Sequence, residues 1–344
     1  MNQLQEIKNL SLKNIESFFI ENKEKAFRAK QVYEWLWQKH ASSFDEMTNI
    51  SKEIRSLLKQ NFSLSQIKIK NLQKSSDKTI KTAFELSDGN IIEGVLIPAQ
   101  NRATACISSQ VGCKLGCKFC ATGHLGYTRN LTVAEIYDQV VIIKQQAEES
   151  DLHFSNIVLM GMGEPLLNYD NVMSAIKLIT SKQGLAMSNS RITLSTSGIN
   201  KMIKKLADDN VRFNLAVSLH SANNDKRSQL MPVNKTNPLN ELAQALKYFN
   251  EKTQSRITFE YLLIKDINDG MNDAKELAIF CKNVPCKINI IEYNPIDSNS
   301  FKRSTKEKTD AFVNYLENKN IIVNIRRSRG KDIDAACGQL ANKN

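Results

Sequence analysis

From residue 103 onward, apolar strand-like runs alternate with amphipathic helical ones, and this alternation restricts the available folds more than any other feature of the chain. The strand-like runs are ATACISS, SNIVLMG, RITLSTS, RFNLAVSLH, RITFEYLLI, KINIIEYN and IIVNIRR. Between them lie LTVAEIYDQVVIIKQQ, NVMSAIKLIT, INKMIKKLA, LNELAQALKYFN, AKELAIFCKN and TDAFVNYLEN. Strands separated by a helix pair in parallel and need cover on the outer face. Six strand–helix units fall short of the eight that close a barrel, so the sequence predicts an α/β fold built as an open (β/α)6 partial barrel. Chemistry in such sheets sits at the carboxyl ends of the strands.

Upstream, residues 1–63 carry helical periodicity through Ile15, Phe19, Val32, Trp35 and Leu36, which predicts a small N-terminal helical domain over 1–70. Its segment AFRAKQVYEWLWQKH sets Arg28, Lys30, Lys39 and His40 among Tyr33, Trp35 and Trp37. That composition suits phosphate contact on one face, or amphipathic packing alone. Residues 78–96 alternate apolar and polar around Asp88-Gly89-Asn90, a tight hairpin turn, and predict a two-stranded connector over 71–100. The barrel then occupies 101–344.

Forty-seven Lys and Arg against 36 Asp and Glu give a net charge of +11, which fits a polyanionic partner or simply a lysine-rich surface. No run of eighteen apolar residues occurs and the N-terminus is polar, so a cytoplasmic protein without membrane contact is expected. Seven cysteines in a reducing compartment do not suggest a disulfide framework, and clustered ones read as metal ligands or reactive thiols.

Cys113, Cys117 and Cys120 are clustered in the loop after the first barrel strand, with Cys106 just upstream. Spacings of three and two residues, with Gly112 and Gly116 permitting sharp turns, let three sulfurs converge on an iron–sulfur cubane and leave one iron open. Zinc is the competing reading, with Cys106 or His124 as fourth ligand. Further candidates close later strands: Gly161, Gly163 and Glu164 in GMGEP, Ser195 in LSTSG, Ser218-Leu219-His220, and Asn294 in EYNP. The glycines admit a ligand to the backbone and Glu164 suits an ammonium group. Each has a plain alternative as a strand-end turn or cap. Cys281 and Cys286 lie outside these motifs and read as packing residues.

The three-two spacing with Phe119 before the last cysteine resembles the motif of the radical S-adenosylmethionine (SAM) superfamily, and GMGE resembles its glycine-rich SAM motif. Over nearly its whole length, through RATACISSQVGC, KFCATG, RNLTVAEI, GMGEPLLNY, STSGI, SLHSANNDKRSQLMPVN and DIDAACGQL, the chain closely resembles the RlmN branch of the radical SAM RNA methyltransferases. That resemblance implies a 4Fe-4S cluster on Cys113, Cys117 and Cys120, and two SAM molecules per turnover held by Gly163, Glu164, Ser195, Ser218, Leu219, His220 and Asn294. It implies a methyl group carried on Cys337, a transient disulfide between Cys337 and Cys106, and Glu93 as proton acceptor.

The implied reaction is methylation at carbon 2 of an adenosine in 23S rRNA and of the adenosine 3′ of the anticodon in tRNAs. A monomer served by an electron donor such as flavodoxin is implied with it. The related Cfr branch, which methylates carbon 8, shares the thiols; Pro165 after GMGE is the RlmN pattern where Cfr usually shows Ala. A zinc-stabilised RNA-binding protein without catalysis is the alternative from a different class.

Overall fold

The computed structural model describes residues 4–342; the first three residues of the polar N-terminal segment and the last two of the chain lie outside the described residues. Strand β1 (Gln5–Glu6) is followed by helices α1 (Leu12–Glu21), α2 (Phe27–Trp37) and α3 (Lys52–Asn61), and pairs in parallel with β2 (Phe62–Ser63). Next come β3 (Lys68–Lys74), β4 (Ile80–Glu85), β5 (Ile91–Ala99) and β6 (Arg102–Cys106). The cysteine loop holds a small ribbon, β7 (Gln110–Gly112) with β8 (Tyr127–Asn130), and the short helix α4 (Ala121–His124).

The alternation predicted above then appears in order: α5 (Val133–Glu149), β9 (His153–Leu159), α6 (Tyr169–Thr180), β10 (Ile192–Thr196), α7 (Asn200–Asp208) and β11 (Asn214–Ser218). It continues through α8 (Asn224–Leu230), α9 (Leu239–Thr253), β12 (Ile257–Leu263), α10 (Met271–Phe280), β13 (Cys286–Glu292), α11 (Lys306–Glu317) and β14 (Ile322–Arg326).

One ten-stranded sheet runs β14-β13-β12-β11-β10-β9-β6-β5-β4-β3. Its strands from β6 and β9 to β14 are parallel, and the sheet does not close on itself, so the open partial barrel stands. The central strands are buried on both faces, by helices on the outer face and by the barrel interior on the inner one, which is why they read as near-continuous apolar runs; β12 is buried at all seven positions. The predicted hairpin connector is part of this sheet. β5 pairs antiparallel with β6, from Val95 opposite Cys106 to Ala99 opposite Arg102, because the first parallel strand otherwise offers an unpaired edge.

The two edge strands, β3 and β14, carry Lys68, Lys70, Lys74, Asn324 and Arg326 along exposed backbone, which discourages pairing with another chain. They are joined at one end. Asp77 Oδ2 accepts from the Gly330 amide at 3.0 Å, and Asp332 accepts from the Ser75 hydroxyl at 2.5 Å and the Ser76 amide at 2.9 Å. The turn after β3 is thus stapled to the loop after β14.

The N-terminal helices share the hydrophobic core of the barrel and dock on α5. Trp37 meets Tyr137 edge-on at 5.1 Å, and the Tyr137 hydroxyl donates to the Trp37 carbonyl at 2.6 Å. Beside them the ammonium of Lys8 donates to both oxygens of Asp138 at 3.0 and 3.1 Å, with both residues buried. Removing one partner strands the other charge in the core. Lys8→Met is therefore expected to cost about 3 kcal/mol in urea unfolding, whereas Lys8→Met with Asp138→Leu recovers most of the loss. Equal losses in the single and double variants would refute that account.

Candidate active site

A cavity of about 310 Å³ opens at the carboxyl ends of the parallel strands. Its wall is assembled from strand ends, as the fold requires: Cys106 after β6, Gly161, Gly163 and Glu164 after β9, Ser195 on β10, Ser218 and His220 from β11, Glu260 and Leu262 on β12, and Asn294 after β13. Arg326 to Arg329 follow from β14. The cysteine loop contributes Cys113, Cys117, Phe119 and Cys120, and the C-terminal loop contributes Cys337.

The loop takes its path from two glycines. Gly112 has φ +72°, and a Cβ there would lie 1.9 Å from the Gly126 carbonyl oxygen, so only glycine permits the ribbon to pass. Gly163 has φ +97° and lies against Gln110, whose side-chain carbonyl accepts from the Glu164 amide at 2.9 Å. The glycine-rich turn and the cysteine loop are thereby fixed to each other.

Burial raises the pKa of all three loop thiols, Cys113 to about 11. Cys117 is raised well above its ordinary value by burial and then by Cys120, Cys113 and Glu164, so the sulfurs stand near enough to repel as thiolates. Three crowded soft donors of this kind become stable anions only against a strongly positive centre, which is what an iron–sulfur cluster offers. Among the described residues no group of three or more His, Cys, Asp or Glu is arranged to hold a metal ion. The thiols of a cubane bind separate irons and need not meet at one point. His124, the possible zinc ligand, has its ring 3.4 Å from the Lys118 carbonyl and does not line the cavity.

Glu164 is almost fully buried, with Oε2 accepting from the Ser197 amide at 2.7 Å and Oε1 from Leu166 at 3.1 Å. Those amides hold it in one orientation while it lines the cavity, where a positively charged ligand group would meet it. Leu219 does not line the cavity. It is buried, and its carbonyl is taken by the guanidinium of Arg227 at 3.1 Å. That fully buried arginine also binds the carbonyls of Ser197 at 2.7 Å and Ser218 at 3.2 Å, tying the ends of β10 and β11 together.

His220 accepts the Leu262 amide on Nδ1 at 3.0 Å and meets the edge of Phe119 at 4.6 Å. Burial and then Arg227 lower its pKa to about 3, so it is neutral at pH 7. The unfolded chain takes up this proton near pH 6.5 and the folded chain does not, so stability is full above pH 6.5 and falls as the pH drops toward 3. Wild type is expected to lose stability by ~1.4 kcal/mol per pH unit more than His220→Gln between pH 6 and 4. Parallel urea midpoints for the two proteins over that range would refute the assignment.

Cys337 lies deep within the fold but keeps accessible surface, and it contributes to the cavity wall. Its loop is laid against the cysteine loop: the Gly338 carbonyl accepts from the Ala121 amide at 2.7 Å, and the Leu340 carbonyl accepts from the Thr122 hydroxyl at 2.6 Å. Asn294 donates to the Cys337 carbonyl at 3.3 Å. Burial pushes both Cys337 and Cys106 up to about 12; for Cys106 the next cause is Cys337 itself. Both are free thiols.

Glu93 lies outside the cavity wall. It is buried with Oε1 at 3.7 Å from the Lys81 ammonium and Oε2 accepting from the amides of Ala341 at 2.9 Å and Asn342 at 3.2 Å. Here it anchors the tail that follows Cys337. Glu260 and Arg227 are not among the site residues expected from the sequence. Their signal was present: Glu260 is an acid inside the otherwise apolar run RITFEYLLI, and a buried strand with one charge needs a reason for it.

Comparison with known proteins gives consistent results. Residues 5–64 match the ribosomal RNA large subunit methyltransferase N-terminal domain, and residues 107–278 match the radical SAM superfamily. A probable dual-specificity RNA methyltransferase RlmN from Cytophaga hutchinsonii is 58% identical over 98% of this chain and 93% of its own. A protein of the same description from Bacillus velezensis is 43% identical over 98% and 93%. The crystal structure of a radical SAM methyltransferase from Sphaerobacter thermophilus superposes with a TM-score of 0.93 at 38% identity, covering 98% of this chain and all of that one.

Proposed function

Because the chain belongs to the RlmN family of radical SAM RNA methyltransferases, with the 4Fe-4S cluster and SAM that this family uses, we propose that it methylates carbon 2 of adenosine in 23S rRNA and in tRNA, at the position 3′ of the anticodon. The observation that carries the reading is the meeting of Cys106 and Cys337 in the cavity that also holds the three loop thiols. A cluster protein that only cleaved SAM would have no use for two further thiols there.

Cys113, Cys117 and Cys120 would hold the cluster, and Glu164, Gly163, Ser195, Ser218, His220 and Asn294 would hold SAM beside it. When bound, these groups supply a methyl donor and a one-electron route to a carbon radical, which polar transfer to an electron-poor ring carbon lacks. The protein's own part lies in its sulfurs. Cys337, as thiolate, takes up the methyl group and presents its carbon to the base.

Release follows when the Cys106 thiolate attacks the Cys337 sulfur. Once the joined base has given up its ring proton and, by the same one-electron route, the odd electron, the S–S bond forms as the bond from sulfur to the transferred carbon breaks, that carbon takes the electron pair and then a proton, and an outside reductant restores both thiols with two electrons. Glu93 can accept the ring proton once residues 341 and 342 lift from its Oε2, an exchange that freeing the C-terminal tail would supply.

The basic surface fits an RNA partner, and the base enters the cavity only when flipped from its stack. No helix among the described residues is long and apolar enough to cross a membrane. A monomer working in the cytoplasm with a flavodoxin-like donor completes the proposal.

Mass spectrometry of nucleosides from 23S rRNA and tRNA, with and without this protein, tests it. 2-Methyladenosine in both RNAs is expected. 8-Methyladenosine would move the chain to the Cfr chemistry, and no new nucleoside would refute the reading.

A further inference from the structure

Resting on the RNA-methylating reading above, we propose that Glu260 is a specificity-determining residue that grips the N1–N6 edge of the flipped adenine and so turns carbon 2 toward Cys337. The inner face of the sheet carries a polar row across four neighbouring strands in strict register: Ser218 on β11 opposite Glu260 on β12, Glu260 opposite Asn289 on β13, and Asn289 opposite Asn324 on β14. The row is wired in one direction. Asn324 Nδ2 donates to Asn289 Oδ1 at 3.3 Å, and Asn289 Nδ2 donates to Glu260 Oε1 at 2.8 Å.

Two amides are therefore used to aim one carboxyl group, which is itself nearly fully buried yet lines the cavity. Among the described residues no hydrogen bond engages its Oε2. The positive groups near it are Arg326 and Lys287, and it stands close enough to Cys337 to raise that thiol's pKa. A buried acid that lines a ligand cavity, with one oxygen held by an amide and no hydrogen bond to the other, suits recognition better than stability.

The chemistry of the group selects the ligand. Burial raises the Glu260 pKa above the usual carboxylate range, against Arg326, Asn289 and Lys287, and so favours the protonated form. A neutral acid presents one donor and one acceptor side by side, here an Oε2 hydroxyl for adenine N1 and the second lone pair of Oε1, beside its bond from Asn289, for the N6 amino group. Guanine reverses that pattern, with a donor at N1 and an acceptor at O6, and carries an amino group on the carbon 2 that is to be methylated. Carbon 2 is bonded to N1, so a base held by N1 and N6 leaves carbon 2 beside the wall that bears Cys337. A base held by N7 and N6 would bring carbon 8 there instead.

The test uses the cluster-loaded enzyme and tRNA anticodon stem-loops carrying adenosine, 1-deazaadenosine or 7-deazaadenosine at the target position. For wild type, kcat/KM is expected to fall about 10- to 100-fold with the 1-deaza base and less than about threefold with the 7-deaza base. Glu260→Gln, which also offers a donor beside an acceptor, should keep most activity and the 1-deaza penalty. Glu260→Leu should be slow and blind to the difference.

Iron content and methylation of Cys337 without RNA, read by mass spectrometry, report folding and SAM use and should be unchanged in both variants. The proposal falls if Glu260→Leu retains the 1-deaza penalty, if Glu260→Gln fails like Glu260→Leu, or if either variant loses methylation of Cys337, which would assign Glu260 to SAM. If wild type methylates none of the three stem-loops, the functional reading itself fails, a result visible without any variant.

Discussion

Replacing Cys337 with alanine is expected to lower RNA methylation by at least about 1000-fold, because the group removed is the one proposed to form the covalent bond to the transferred carbon. The rest of the site should survive. The C-terminal loop is held through backbone atoms, by Ala121 to Gly338 and by Asn294 to the Cys337 carbonyl, and alanine preserves both. The variant should therefore bind the same iron and still cleave SAM under reduction while no methyl group appears on the protein or the RNA. Methylated RNA at a wild-type rate would eliminate the thiol route. Loss of iron as well would show that Cys337 supports the cluster loop and would leave its chemistry to be separated by Cys337→Ser.

The second large effect is expected at Cys117. This is the most deeply buried of the three loop thiols. Its carbonyl accepts the Cys120 amide at 3.2 Å, and the Lys118 amide is held by the Leu230 carbonyl at 2.9 Å, so the loop backbone is largely fixed by contacts other than the sulfur. Cys117→Ala should keep the fold and lose the cluster: a colourless protein with little iron and with SAM cleavage and RNA methylation both reduced at least about 1000-fold. A brown variant with full iron would remove Cys117 from the ligand set. Wild-type protein that is colourless and carries one zinc after anaerobic purification would overturn the cluster assignment altogether.

The barrel was legible because parallel strands and their helices write long periodic signals: β12 reads as ITFEYLL and is buried throughout. The connector was harder. Alternation around Asp88-Gly89-Asn90 announced a hairpin, but nothing local told that β5 would pair with β6 and that β3 would become the sheet edge, since pairing partners are a tertiary choice.

Within the site, residues set in motifs were found and those set by direction were not. Leu219 belongs to the motif Ser218-Leu219-His220, yet strand alternation turns it from the cavity that its neighbours line. Glu93 stands on the same face of β5 as Val95 and Ile97, which line the cavity, but the chain's last turns cover it and its carboxylate binds their amides. Such a contact joins positions 248 residues apart, beyond the reach of any spacing rule.

The strand order has a consequence for biosynthesis. Apart from the short ribbon strands, the sheet is laid down from β3 to β14 in the order the residues are synthesised, each new strand docking beside its predecessor. A chain that emerges N-terminus first can therefore build the sheet progressively without waiting for distant partners. The exceptions come last: the loop after β14 must reach back to the turn after β3, and the tail must reach Glu93. Cys337 lies between those two fastenings. Cys337 thus follows the last strand of the sheet in order of synthesis, and a chain stopped between Arg326 and Cys337 would carry a finished sheet without the thiol proposed to carry the methyl group.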